Sequence, residues 1–246
     1  MCLGGLQALH TASAMSLLRS AVRGILPPWL RYALTVLLFW PTIWLARALS
    51  WLAPWWRRPY DRVHEHVVLG GAPVLRTDVA RLAREERVGA VVNLCMEWPG
   101  HGARFYESLG LAQLALPTID FDVPALAALL RGAAFIARHA RAGRSVYVHC
   151  KAGRGRSTCV VLAFLVLFEG AAPRAAHDRI KKRRPHISSK FDAPEIEACW
   201  RLRRAIEAAG AAAADAFLAA AAEGARARID GVAATEGGEI TPLLPS

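Results

Sequence analysis

The nine residues from His149 to Ser157 read HCKAGRGRS and combine a nucleophile with groups that bind phosphate. Cys150 and Arg156 stand six residues apart, two glycines lie between them, and Ser157 follows the arginine directly. A thiol attacks well only as the thiolate, and nearby cations or a helix N-terminus lower its pKa. Arginine offers a planar fork that holds two phosphoryl oxygens. The pattern therefore predicts attack of a cysteine on a phosphate ester.

The segments on either side of this run predict a strand, a loop and a helix. Residues 145–148 are suited to a short buried strand, and the apolar residues 158–168 are long enough for a buried helix. This order aims backbone N–H groups and a helix N-terminus at one anion. The phosphate loop, residues 151–155, would bind the phosphoryl oxygens, and its two glycines would permit the backbone angles that it needs. Its residues are Lys151, Ala152, Gly153, Arg154 and Gly155.

Two neighbours of Cys150 have predicted supporting roles. The Ser157 hydroxyl could donate a hydrogen bond to the sulfur and help it leave when a phosphoenzyme is hydrolysed. His149 ends the strand, so its side chain should point away from that of Cys150, which makes it a poor acid or base. The alternative to a catalytic loop is a buried cysteine in an ordinary strand–turn–helix.

Cleavage of a phosphate ester also requires a proton for the leaving oxygen, and a carboxylic acid can supply it. Residues 118–123 form a polar break before a helix that is expected to begin near Pro124, and they include Asp120 and Asp122. Either carboxylate could instead be a turn or capping residue, and the position of Asp122 two residues before the proline suits that role. The residues alone leave both candidates open.

HCKAGRGRS is similar to the signature HCxxGxxR[ST] of the cysteine-dependent protein tyrosine phosphatases, and the short loops resemble the dual-specificity branch. Over residues 60–209, the runs YDRV, VLGGAP, LPTID and RPHI resemble the mitochondrial phosphatidylglycerophosphate phosphatases and their plant and bacterial relatives. The resemblance implies a hydrolase with a cysteinyl-phosphate intermediate and no cofactor or metal. It also implies that Asp120 is the general acid and that His149 orients and tunes the cysteine.

The substrate is predicted to be a phospholipid headgroup phosphate, such as phosphatidylglycerophosphate or a phosphoinositide. Lys151 and Arg154 add two cations to the loop, which favours a substrate with further phosphates or one on an anionic membrane. The basic residues 181–184 are expected to be a solvated helix end. The alternatives are a phosphotyrosine or phosphoserine/threonine protein phosphatase and a pseudophosphatase that binds phosphorylated partners. No nucleic-acid partner is expected.

The first 58 residues are predicted to form a basic, hydrophobic segment that anchors or targets the chain. Residues 1–60 contain six arginines, no acidic residue and six of the eight tryptophans. Residues 25–46 carry one charge, Arg31, and are long enough to cross a bilayer of about 30 Å, with Pro41 expected to kink the helix. A mitochondrial transit peptide and a flat interfacial anchor are the alternatives. The common expectation is attachment to a membrane.

The catalytic domain is expected at residues 59–209, followed by an alanine-rich helix and a disordered tail at 210–246. Alternating elements predict an α/β fold with a mostly parallel central sheet flanked by helices. Strands are predicted at 67–69, 90–94, 111–116 and 145–148, and helices at 78–86, 103–109, 124–142, 158–168, 173–183 and 193–209.

The cysteines indicate a reducing compartment, because the nucleophile must stay reduced and the five cysteines show no disulfide spacing. We expect the catalytic domain to face the cytoplasm or, alternatively, the mitochondrial matrix. Cys95 ends a predicted parallel strand in an Asn-Leu-Cys context similar to that of a lipid phosphatase of the resembled superfamily. It is a candidate redox partner of Cys150. The alternative is a buried apolar residue.

Overall fold

The computed structural model describes residues 27–52 and 58–210, together with Ala216. The predictions for residues 1–26 and for the tail from 211 onward, apart from Ala216, lie outside the described residues. The elements are, in chain order, α1 (Pro28–Leu37), α2 (Phe39–Leu52), β1 (Tyr60–His64), β2 (Val67–Gly70), α3 (Arg76–Glu85), β3 (Val88–Cys95), α4 (Ala103–Ser108), β4 (Ala112–Thr118), α5 (Leu126–Arg141), β5 (Ser145–His149), α6 (Arg156–Glu169), α7 (Pro173–Arg183) and α8 (Pro194–Ala208).

The five described strands form one sheet in the order β1-β2-β5-β3-β4. Strand β1 pairs antiparallel with β2, and the other described pairs are parallel. The predicted α/β fold with a mostly parallel sheet is therefore confirmed, although β1 was not predicted. Strand β5 lies between β2 and β3, so the phosphate loop that follows it lies at the carboxyl edge, where open α/β sheets bind ligands.

The two faces of the sheet carry separate apolar cores, because neighbouring residues of a strand point to opposite sides. Val146 and Val148 belong to the larger core, which includes residues of α5, α6 and α8, whereas Tyr147 packs with residues of α3 and α4. Helix α6 is buried from Arg156 to Leu167, which accounts for its continuous apolar sequence. This buried helix fixes the carboxyl end of the phosphate loop.

No single helix in the described part of the chain is long and apolar enough to cross a bilayer. The stretches Trp29–Leu37 and Phe39–Leu49 meet that requirement only together, and they are bent by 46°. The span expected over residues 25–46, with a kink at Pro41, is therefore two helices that are separated at Leu38. Pro41 explains the break, because its ring clashes with the carbonyl four residues earlier and its nitrogen has no hydrogen to donate.

Helix α2 packs directly on the sheet domain, although it falls in the predicted N-terminal segment. Phe39 and Ile43 are 1% and 4% exposed and form a cluster with four residues of the domain, namely Ala72, Val74, Cys95 and Trp98. Arg47 forms an ion pair of 2.6 Å with Asp78 in the first turn of α3. One face of α2 is thus part of the core beside the carboxyl ends of β2 and β3.

Candidate active site

The carbonyl groups of the phosphate loop accept hydrogen bonds from residues outside the loop. The carbonyls of residues 151–154 accept hydrogen bonds from the Ala72 N–H (3.1 Å), twice from the Arg184 guanidinium (3.2 and 2.8 Å) and from the Ser188 N–H (2.7 Å). In a trans peptide the N–H points opposite to the C=O. The N–H groups of the loop are therefore turned toward its interior, where successive amides make an anion-binding concavity.

Arg184 lies outside the phosphate loop and stabilises it through hydrogen bonds. It is 6% exposed, and its guanidinium also donates to the Asp61 carboxylate at 2.7 Å. The sequence placed Arg184 in a solvated basic helix end, and the structure corrects this for Arg184. The Asp61 carboxylate compensates the buried charge, which would otherwise be costly to desolvate. Strand β1, which carries Asp61, is therefore tied to the phosphate loop through one arginine.

The two glycines of the loop differ in what they contribute. Gly153 has a φ of +65°, and a Cβ there would lie 2.3 Å from the carbonyl carbon and oxygen of Gly70. Both the left-handed backbone and the close approach to β2 therefore require glycine. A Cβ at Gly155 would lie 3.7 Å from the Lys190 side chain, which is ordinary contact. Only Gly153 is required by the space around it.

Cys150 lies at the base of the loop with 3% of its surface exposed. The Ser157 hydroxyl donates a hydrogen bond to its sulfur over 3.2 Å. Burial by itself raises the pKa of the thiol, but the Arg156 guanidinium and the Ser157 hydrogen bond lower it more, so the net shift of the pKa is downward. The site therefore favours the thiolate, which is the nucleophilic form.

Arg156 is held in place by a carboxylate that sequence reasoning missed. Both terminal nitrogens donate to Glu97, over 2.8 and 2.7 Å, and one also donates to the Thr118 carbonyl over 2.7 Å. Burial by itself lowers the pKa of Arg156, but the hydrogen bonds to Glu97 and the nearby Cys150, Asp120 and Glu97 charges together raise it more, so the net shift is upward. The buried Nε atom has no hydrogen-bond partner among the described residues, so this donor remains for an anion. The signal for Glu97 was its position just after β3, at the same sheet edge as the loop.

Asp120, and not Asp122, lies against the phosphate loop. Its carboxylate oxygens are 3.1 Å from the Arg156 guanidinium and 3.5 Å from the Lys151 ammonium. Asp122 instead pairs with Arg31 of helix α1 at 3.1 Å. The segment 120–122 thus contacts Lys151 and Arg156 through Asp120 and helix α1 through Asp122.

The remaining predicted site residues, His149 and Cys95, are both buried. His149 is fully buried, and burial lowers its pKa to about 3, so the ring is neutral. Its ring stacks with that of Tyr147 at 5.6 Å and lies 5.8 Å from Trp98. Burial raises the pKa of Cys95 well above the ordinary value, and this thiol packs in the cluster of helix α2, whereas Cys150 belongs to the larger core.

The arrangement provides every group that a double displacement at phosphorus needs. A thiolate, an amide concavity, an arginine with a free donor and a carboxyl group converge on one space at the end of β5. Within the described part of the chain, no group of three or more His, Cys, Asp or Glu side chains is placed to hold a metal ion.

Comparison with known proteins gives one consistent result. The family described as "Dual specificity phosphatase, catalytic domain" matches residues 76–193. The chain is 36% identical over 174 residues to phosphatidylglycerophosphatase and protein-tyrosine phosphatase 1 of Rattus norvegicus, which covers 68% of this chain and 90% of the relative. It is 36% identical over 135 residues to the phosphatidylglycerophosphate phosphatase PTPMT1 of Arabidopsis thaliana, which covers 54% of this chain and 38% of that one. A crystal structure of PTPMT1 in complex with PI(5)P aligns with a TM-score of 0.55 and 32% identity, covering 62% of this chain and 99% of that chain.

Proposed function

Because the chain belongs to the dual-specificity phosphatases and falls with their phosphatidylglycerophosphate phosphatase group, we propose that it hydrolyses the phosphomonoester of a phospholipid headgroup. It is a cysteine-dependent phosphatase of the protein tyrosine phosphatase type. The observation that carries the lipid proposal is an exposed apolar helix face beside the phosphate loop. Helices α1 and α2 expose large side chains there, including Trp29, Leu37, Trp40, Trp44, Leu45 and Trp51.

The proposed reaction has two steps. The Cys150 thiolate attacks phosphorus, the bond from phosphorus to the leaving oxygen breaks, and Asp120 gives that oxygen its proton. The Asp120 carboxylate then takes a proton from water, which attacks the phosphocysteine, releases inorganic phosphate and regenerates the thiolate. Arg156 and the loop amides bind the phosphoryl oxygens in both steps, and the Ser157 hydroxyl stabilises the departing thiolate.

Two cations of the loop favour a lipid headgroup over a phosphoprotein. Lys151 and Arg154 are half-buried at the loop, where they attract a substrate with more than one phosphate. A phosphotyrosine or phosphoserine/threonine substrate remains the alternative, since the same groups would cleave it.

The test is a side-by-side assay of the purified full chain on phosphatidylglycerophosphate, a phosphoinositide and a phosphotyrosine peptide. We expect kcat/KM to be highest for one of the lipids and Cys150→Ser to abolish turnover of all three. A higher kcat/KM on the peptide would replace the lipid proposal with the protein alternative. Turnover by Cys150→Ser would refute the cysteinyl-phosphate mechanism.

The bent pair α1–α2 is proposed to attach the catalytic domain to a membrane that borders a reducing compartment. One face of the pair packs on the domain and the other exposes tryptophan and leucine, the arrangement of an interfacial helix. The full chain should sediment with vesicles that contain anionic lipid and should remain bound in high salt, which removes purely electrostatic binding. Leu37→Glu should weaken this binding, whereas Ala175→Glu on the exposed side of α7 should not. Equal binding of the two variants would refute the anchor.

A further inference from the structure

A cavity of about 540 Å³ lies between helix α2 and the catalytic domain, beside the phosphate loop. Ile43, Trp44 and Trp51 of α2 form one wall, and Pro73 and Leu82 belong to the opposite wall. Its volume falls in the range of small-molecule sites, about 300–1,000 Å³. The proposed reaction uses none of these five side chains.

The cavity combines apolar walls with a cationic rim. Five of its lining residues are cations, namely Arg47, Arg58, Arg81, Lys151 and Arg184. They pair with three carboxylates: Asp78 pairs with two of them, Asp61 with two and Asp120 with one. Five cations against three acids leave this group with an excess of two positive charges. Lys151 is common to the cavity and the catalytic centre, because its ammonium lies 3.5 Å from the Asp120 carboxylate. A ligand with one phosphate in the loop could therefore extend past Lys151 into the cavity.

The mouth of the cavity is continuous with the exposed apolar face of helix α2. Trp44 and Trp51 line the cavity and are still 50% and 82% exposed. If that face lies in the membrane interface, as proposed above, an acyl chain can enter the cavity without crossing water.

We propose that this cavity binds an acyl chain of an anionic phospholipid, with the headgroup phosphodiester against the cationic rim. The proposal rests on the proposed function, because it places a lipid phosphate in the catalytic loop. The apolar walls bind the chain, the cations compensate the phosphodiester, and the shared Lys151 joins the two sites. The N-terminal helix thereby forms part of the substrate site.

The test measures how kcat/KM depends on acyl-chain length. Phosphatidylglycerophosphates with two butanoyl or two octanoyl chains, both below their micelle concentrations, are given to the full chain. Each buried methylene contributes a factor of about four to binding. Burial of only two of the additional methylenes of one octanoyl chain would therefore raise kcat/KM over that of the butanoyl substrate by at least about tenfold. Ala48→Trp places a large side chain into the cavity lining and should reduce this ratio to less than about threefold. Leu45→Trp, on the outer face of the same helix, should keep the wild-type ratio.

A second arm identifies which lipid supplies the chain. Turnover of a water-soluble aryl phosphate is measured with and without phosphatidylglycerol vesicles. The vesicles could stimulate turnover by the wild type but not by Ala48→Trp, while the chain-length ratio of the wild type is flat. This result would assign the cavity to a neighbouring bilayer lipid. A flat ratio without such stimulation, or a ratio above about tenfold that Ala48→Trp leaves unchanged, would overturn the proposal. Lipids that are turned over no better than the aryl phosphate would instead refute the lipid substrate itself, and the vesicle arm would still decide the cavity.

Discussion

Glu97→Gln tests whether the buried ion pair with Arg156 positions the arginine for phosphate. Both side chains are 1% exposed and are joined by two hydrogen bonds of 2.8 and 2.7 Å. Removal of one partner from a buried pair costs about 3–5 kcal/mol of folding free energy. Arg156 keeps the Thr118 carbonyl as an acceptor, so we expect the lower end, about 3 kcal/mol. For a protein of this size that corresponds to a melting temperature lower by about 6–12 °C.

The activity of Glu97→Gln should fall as well, because the guanidinium loses the partner that fixes its plane. A misplacement of about 1 Å costs about 100-fold, so kcat/KM on an aryl phosphate should fall between about 10- and 100-fold. The matched control is Asp178→Asn, which removes the charge from a half-exposed carboxylate whose contacts with Arg174 and His177 are both 3.4 Å long. It should leave kcat/KM unchanged and lower the melting temperature by less than about 4 °C. If Glu97→Gln behaves like this control in both measurements, the pair does not position Arg156.

Three further predictions concern the groups around the thiolate. Asp120→Asn should lower kcat on alkyl phosphates by about two to four orders of magnitude and by less on aryl phosphates, whose leaving groups need less protonation; if Asp122→Asn shows this pattern instead, the general acid is Asp122. Ser157→Ala removes a hydrogen bond that lowers the pKa of Cys150, so the midpoint of iodoacetamide alkylation should move to higher pH by about one unit; a midpoint that stays or falls would contradict the assignment. Mild peroxide should inactivate the enzyme reversibly through a Cys95–Cys150 disulfide that mass spectrometry can detect. Because burial raises the pKa of Cys95, this disulfide should form faster at alkaline pH. If thiols restore the activity of oxidised Cys95→Ser as fully as that of the wild type, the disulfide is excluded.

The elements that local signals determine could be predicted from the sequence. Helix α7 spans Pro173–Arg183 as predicted, because Pro173 marks its start and Pro185 follows two residues after its end. The phosphate loop also follows from local residue types and spacing. Helix α6 begins two residues before its predicted start, at Arg156, because sequence patterns locate helix ends less well than helix centres.

The parts that depend on contacts between distant residues could not be predicted. Glu97 and Arg156 are 59 positions apart, and Asp61 and Arg184 are 123 apart, so no local pattern joins them. Strand β1 was missed because its residues are half-buried or exposed without an alternating apolar pattern. The packing of α2 on the domain was also missed. Its partners, Ala72, Val74, Cys95 and Trp98, lie far along the chain, so no local pattern indicates the contact.

The burial of Phe39 and Ile43 against later elements has a consequence for biogenesis. During synthesis helix α2 leaves the ribosome first, whereas Trp98, which completes its cluster, is made only after strand β3. Until then the face of α2 that carries Phe39 and Ile43 is without its apolar partners, and such transiently exposed surface promotes aggregation. A nascent chain that reaches a bilayer early would have one face of the helix covered while the other waits for the domain. If α2 binds a membrane as proposed above, membrane binding and folding of the enzyme would be coupled during translation.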